Sequence, residues 1–542
     1  MKILAILLVG MLIGGTSVAD TTAASRVAET EAIFLDFLDA ANAVGVIDSG
    51  LYMQYEGRDR AAWEARMRAR RETLTAGLAA IDPAALSQAD AAAVAAMRKT
   101  LADYAEEDPK QADLGAASKC SDAVRRDLDT VKLQAALVGC YREIGNQLKF
   151  EDDTVDRGTA LSLLYGIEEP ARRKALFDAF RPLWSALNGQ DEAESPYRRM
   201  IRMVAADAAK NGSEIDAAAR AIGVSIGEVE RWLVQILDAW RQASGPGMVE
   251  PWDFRYAIGE ADRRLAPRIP TDTLVPVNER FYRDLGADLA GLGIVYDLGE
   301  RPDKSPLAYT DFLARGRMVN GNWRPSIARV VGSYPVGGLF SLNELVHENG
   351  HAVHIAAIRN RPAFMDWPDT LFAEAFADVP SWSVYEPTWQ RRYLGAEVDE
   401  QVSLRALYGT VMLDIAWSLF EIRMLRDPAA DPNAVWTEIT SPYLHIVPHP
   451  DVSWWAMRVQ LAGNPGYMVN YGLGAVLTAE IRQRLNEAIG PFDAGNAAWY
   501  GWLSERLLAY GSERDTRALM LALLGRPPSP EAVLAQIRRL KM

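Results

Sequence analysis

Apolar residues recur at helical spacing through most of this chain. Residues 29–43, 58–81, 122–148, 170–187 and 224–243 each carry them three and four apart, which predicts amphipathic helices. The Ala-rich run at 91–96 adds helix propensity in the same region. Gly245-Pro246-Gly247 and Glu250-Pro251 interrupt the pattern, and a second loop covers 267–276. Two short β-like runs follow, at 293–298 and 327–331, with Asn320-Gly321 as a turn signal between them. After Pro380 the helical spacing resumes almost to the end. The expected fold is mainly α, with one small sheet.

Residues 341–378 break the amphipathic rule, because polar groups sit inside two strongly apolar stretches. Leu345, Val346, Ala352, Val353, Ile355, Ala356 and Ile358 predict a buried helix, ended by Asn360 and Pro362. Ser341-x-x-Glu344 reads as its capping box, downstream of Gly337 and Gly338. Within it, His347-Glu348-x-x-His351 places two imidazoles on one helical face, where they can share a metal ion. Glu348 lies beside them, suited to take a proton from a metal-activated water. Zinc needs a third protein ligand and an open position. Glu374, 27 residues past His347, supplies it from a second helix rich in Leu371, Phe372, Ala375 and Phe376. Asp378 follows one turn later, placed to hold a ligand imidazole.

Composition bounds the partners and the compartment. The 542 residues are 49% hydrophobic and 24% charged, enough for a large core. Residues 1–19 look like a signal peptide: Lys2, an apolar core at 3–13, then Ser17-Val18-Ala19 for cleavage. Removing them takes away Lys2 alone among charged residues, moving the net charge from -14 to -15. So acidic a surface argues against nucleic acid or an anionic membrane as partner. Exported to an oxidising periplasmic or external space, Cys120 and Cys140 are candidates to pair, and two free thiols are the alternative.

His347-Glu348-Asn349-Gly350-His351-x-x-His354, with Leu371-Phe-Ala-Glu374-Ala, resembles the thimet oligopeptidase and oligopeptidase F family of zinc metallopeptidases, which are gluzincins. Gly466-Tyr467-Met-Val-Asn-Tyr471-Gly472 is similar to the family's Gly-Tyr motif, and 511–528 to its closing segment. The likeness runs from about Phe312 to the end. The family's histidine just before the Gly-Tyr motif is replaced here by Gln460-Leu-Ala-Gly-Asn-Pro, and His445 and His449, upstream among prolines, are either its substitutes or structural loop residues. Its later tyrosine is absent too, with Leu473 and Gly474 in its place. Glu374-Ala-Phe-Ala-Asp378 also resembles the angiotensin-converting-enzyme family.

The resemblance implies a two-lobed helical ellipsoid with a deep substrate channel. Residues 20–250 would roof it and 251–542 would form the catalytic region. It implies one zinc ion on His347, His351 and Glu374, with Glu348 as base and Tyr467 and Tyr471 facing the substrate. The expected activity is internal cleavage of short unfolded peptides. A peptidyl-dipeptidase and an inactive peptide-binding relative are the alternatives. His354 is expected to be packed or supporting, because the ligand set is already complete.

Overall fold

In the computed structural model, residues 18–48, 59–106, 120–189, 192–245, 247–299 and 307–541 are described. Residues 1–17, most of the expected signal peptide, lie outside them, and Val18 and Ala19 open the first helix (Val18–Asp48). The fold is mainly α. Two of the expected helices are split. The 122–148 pattern becomes Cys120–Ala123 and Thr130–Gly145, the second restarted by Asp129, whose carboxylate caps the Lys132 amide at 2.9 Å. The 170–187 pattern becomes Pro170–Asp178 and Arg181–Asn188, because Pro182 has no amide hydrogen to continue the ladder. Cys120 and Cys140 are joined by a disulfide that ties the first of these pieces to the helix after it.

Two hydrophobic clusters organise the chain. The larger runs from Leu133 and Leu137 in the N-terminal half to Ile537 near the C-terminus, so both halves share one core. Its central column is the Glu400–Arg426 helix, which is buried along most of its length and packs against the Ile226–Ala243 and Met468–Ile489 helices. The smaller cluster joins the first three long helices through Phe34, Phe37, Leu74, Leu78 and Met97 to Phe364. Arg361 locks it to the main body, reaching Glu31 at 2.7 Å and Asp90 at 3.0 Å.

A three-stranded sheet has Ile327–Val331 in the middle, parallel to Val295–Asp297 and antiparallel to Tyr309–Ala314. Tyr309–Ala314, which the sequence pattern did not reveal, is its edge strand and lies against the buried Leu339–Ala357 helix. Asn320-Gly321 forms a separate hairpin, both residues at positive φ (51° and 79°), as a two-residue type I′ turn requires.

Leu339–Ala357 (the motif helix) begins three residues earlier than a cap at Ser341 implies, and Ser341 and Glu344 do not form a capping box. The cap comes from a distant side chain instead: Asp262 Oδ1 accepts the Phe340 amide at 2.9 Å. Ser341 Oγ donates to the Val336 carbonyl, and Glu344 turns into a cavity. The motif helix packs on Thr370–Ser381 (the ligand helix) at Gly350, where a Cβ would stand 2.7 Å from the Ala377 Cα. Only a residue without a side chain permits that approach. Gly350→Ala therefore forces the helices apart, at a cost of about 1–3 kcal/mol for overpacking. Thermal unfolding should show a lowered midpoint, whereas an unchanged one would show that the helices yield freely.

Candidate metal centre

The close helix crossing sets the separation of the polar groups. His347 Nε2 and His351 Nε2 stand 3.2 Å apart on the motif helix, and Glu374 Oε2 on the ligand helix is 3.5 Å from His347 Nε2. All three donor atoms lie within 4.8 Å of one another. His347 Nδ1 faces Asp378 Oδ1 at 2.8 Å, so the Nδ1 hydrogen points to the carboxylate and the Nε2 lone pair points into the cluster. Asp378 thus sits behind His347, on the side away from the cluster.

Electrostatics show what this cluster demands. Burial alone would strip the proton from His347, yet Asp378 and Glu374 override it and raise its pKa well above the usual value. Burial would raise Glu374, but His347, His351 and the Tyr467 hydroxyl bring it down to about 2. His351 is pushed down to about 4 by burial and by neighbouring His347. The cluster therefore calls for one positive charge that two imidazoles and a carboxylate share. Two imidazole nitrogens and one carboxylate oxygen match the His, His, Glu donor set of catalytic zinc sites, so the residues present fit a divalent ion of that kind.

Around the donors lies a cavity of about 580 Å³, lined also by Thr310, Glu348, Trp367, Gln460, Tyr467 and Tyr471. Glu348 is 5% exposed, and burial pushes its carboxyl up to about 8 despite His347. Thr310 Oγ1, on the edge strand, lies 2.7 Å from Glu348 Oε2 and fixes its orientation. Sequence reasoning missed Thr310, because Tyr309–Ala314 shows no clear alternation of apolar and polar residues. Tyr467 donates to Glu374 Oε1 at 2.8 Å. Tyr471, one turn on, receives a hydrogen bond from Gln460 Nε2 at 3.3 Å, which leaves its own hydroxyl hydrogen uncommitted. Both tyrosines are steadied by Glu421, which accepts the Met468 amide at 2.7 Å, and by Ser418, which accepts that of Gly472.

The remaining histidines lie elsewhere. His354 is fully buried among Trp367, Phe372 and Phe376, and burial pushes its pKa to about 3, so it is a neutral packing residue. His445 closes the Pro432–Leu444 helix in a left-handed conformation, and its Nε2 faces the Arg241 carbonyl. His449 faces Glu250 at 2.7 Å and Trp252. Neither lines the cavity, so neither replaces the missing histidine. Gln460 occupies that wall.

No family model matches the sequence, and no curated protein matches it either. Solved structures do resemble the fold. Metallocarboxypeptidase 1 of Trypanosoma cruzi shares 14% identity over 95% of this chain and 99% of its own, with a TM-score of 0.56. A carboxypeptidase from Deinococcus radiodurans shares 15% over 96% and 98%, with a TM-score of 0.54. A protein assigned as an oligoendopeptidase F shares 15% over 93% and 96%, with a TM-score of 0.58. At these identities the likeness is one of fold.

Three substitutions separate the roles at the cluster. Glu374→Ala should abolish metal retention, and Glu348→Gln should leave it intact. Asp378→Asn should weaken it by roughly 10- to 100-fold, the usual effect of losing a carboxylate behind a ligand imidazole. Elemental analysis of dialysed protein is the measurement. Retention by Glu374→Ala with loss in Asp378→Ala would reverse the assignment.

Proposed function

We propose that this chain is a zinc-dependent peptidase acting on short, unfolded peptides. The observation that carries the reading is the convergence of His347, His351 and Glu374 beside buried Glu348, in a cavity bordered by an edge strand. An extended peptide can align along such an edge through main-chain hydrogen bonds, whatever its side chains. A roughly 580 Å³ cavity holds a few residues of an extended chain and no folded domain. The solved structures of similar fold include one named a metallocarboxypeptidase and one assigned as an oligoendopeptidase F, which supports peptidase chemistry here. The apolar N-terminal stretch and the Cys120–Cys140 bond support export to an oxidising space.

A divalent ion on the three ligands would supply Lewis acidity, polarising the scissile carbonyl and lowering the pKa of the attacking water. The protein supplies the proton path. Glu348, held by Thr310, takes the proton from that water and passes it to the departing amine nitrogen. Tyr471 donates its free hydroxyl hydrogen to the oxyanion that develops on the carbonyl oxygen. Tyr467 keeps Glu374 oriented.

Sequence resemblance favours internal cleavage. Removal of C-terminal residues is the second reading, favoured by the carboxypeptidases among the similar folds and by a group of arginines beside the cavity.

Tyr471→Phe should lower turnover of a quenched peptide by about 100- to 1,000-fold, the usual effect of losing an oxyanion donor, with metal content unchanged. Tyr467→Phe should instead reduce metal retention. Steady-state kinetics with metal analysis distinguishes them, and normal turnover in Tyr471→Phe would reduce that residue to packing.

A further inference from the structure

Next to the metal cavity lies a second, smaller one of about 80 Å³, and the two share Leu307 and Ala308 in their walls. Three guanidinium groups face it: Arg157, Arg255 and Arg458. Arg458 is neutralised by an ion pair with Asp414. Arg157 is only 8% exposed, and its Nε donates to the Met457 carbonyl at 3.0 Å. Arg255 donates to the Tyr165 hydroxyl at 2.9 Å. No carboxylate forms an ion pair with Arg157 or Arg255 among the described residues. Of the acids in the same wall, Asp156 is engaged as the cap of the Arg157–Gly166 helix, bonding the amide and hydroxyl of Thr159. Glu344 is the other acid in that wall, and burial raises its pKa against the pull of Arg157. Arg157, buried, and Arg255, half-buried, thus face a space of carboxylate size without an ion pair among the described residues, which is costly for the buried charge.

Position identifies what belongs there. Glu344 precedes His347 by one turn on the same face of the motif helix, so this cavity begins about 5 Å from the metal ligands. Leu307 and Ala308 lead into the edge strand, whose Thr310 marks the position of Glu348. A peptide that pairs antiparallel with this strand at Tyr309 and Thr310, the part that lines the metal cavity, runs its C-terminal end toward Leu307, and so into the arginine cavity. A parallel peptide would send its ammonium group there, against like charge. Chain direction and charge sign agree.

Building on the peptidase reading, we infer that Arg157 and Arg255 bind the C-terminal carboxylate of the substrate, selecting peptides cut within about one or two residues of a free C-terminus, given about 3.3 Å per extended residue. Bidentate pairing is the usual way a guanidinium holds a carboxylate.

The test uses zinc-loaded, full-length protein and one decapeptide made as the free acid and as the C-terminal amide. Wild-type protein should cut the acid with kcat/KM higher by on the order of tenfold to a hundredfold, mostly through KM. Arg157→Gln and Arg255→Gln should each erase that preference, by lowering kcat/KM for the acid to that for the amide, and should keep their zinc. If Arg157→Gln fails to fold, Arg255→Gln carries the test. Binding of both peptides to Glu348→Gln, read by fluorescence anisotropy, separates the two hypotheses. Equal turnover of acid and amide overturns the carboxylate site and leaves the peptidase reading standing. Acid-selective binding without any turnover by the wild-type protein does the reverse. A preference that survives in both arginine variants also overturns the assignment.

Discussion

Three electron-rich atoms held together in a buried place constrain this structure more than any other feature. His347 Nε2, His351 Nε2 and Glu374 Oε2 repel one another unless a positive charge lies among them. The fold holds them there regardless, because the motif and ligand helices meet at a glycine and cannot drift apart without losing apolar contact. The raised pKa of His347 expresses the same demand through a proton. A metal ion answers it better, since one ion satisfies all three donors at once.

The surrounding polar groups serve that cluster in an ordered way. Asp378 fixes the His347 ring, Tyr467 fixes the Glu374 carboxylate, and Thr310 fixes Glu348. Tyr282 donates to the Val346 carbonyl at 2.6 Å and Tyr296 to Asn349 Oδ1 at 2.7 Å, bracing the motif helix from behind. Each comes from a different part of the chain, so a site a few ångströms across depends on the packing of the whole core. The Glu400–Arg426 helix contributes without touching the cluster, through Glu421 and Ser418 under the tyrosines.

How much could be read from the sequence depended on range. Whatever is encoded by spacing along one helix was legible: the imidazole pair, Glu348 beside it, and the Glu374 to Asp378 step. The mainly helical fold was legible too, because amphipathic periodicity is local. What required distant partners was not. The motif helix is capped by Asp262, far away in sequence, so the local Ser341 and Glu344 pattern misled. Thr310 lies on a strand in which Phe312 is buried and the other five residues are half-buried, which leaves little signal of period two. Arg157, Arg255 and Arg458 come from three separate elements, and only the folded chain brings them together. His449 looked available as a replacement ligand, yet Glu250 and Trp252 hold it elsewhere.

The central claim is that two imidazoles and one carboxylate hold a single divalent ion. Anomalous diffraction at the zinc edge, from crystals of the zinc-loaded protein, tests it most directly. The account predicts one peak, about 2.0–2.2 Å from His347 Nε2, His351 Nε2 and a carboxylate oxygen of Glu374. A peak bonded to Asp378 in place of Glu374, or no peak within reach of the two histidines, would contradict it.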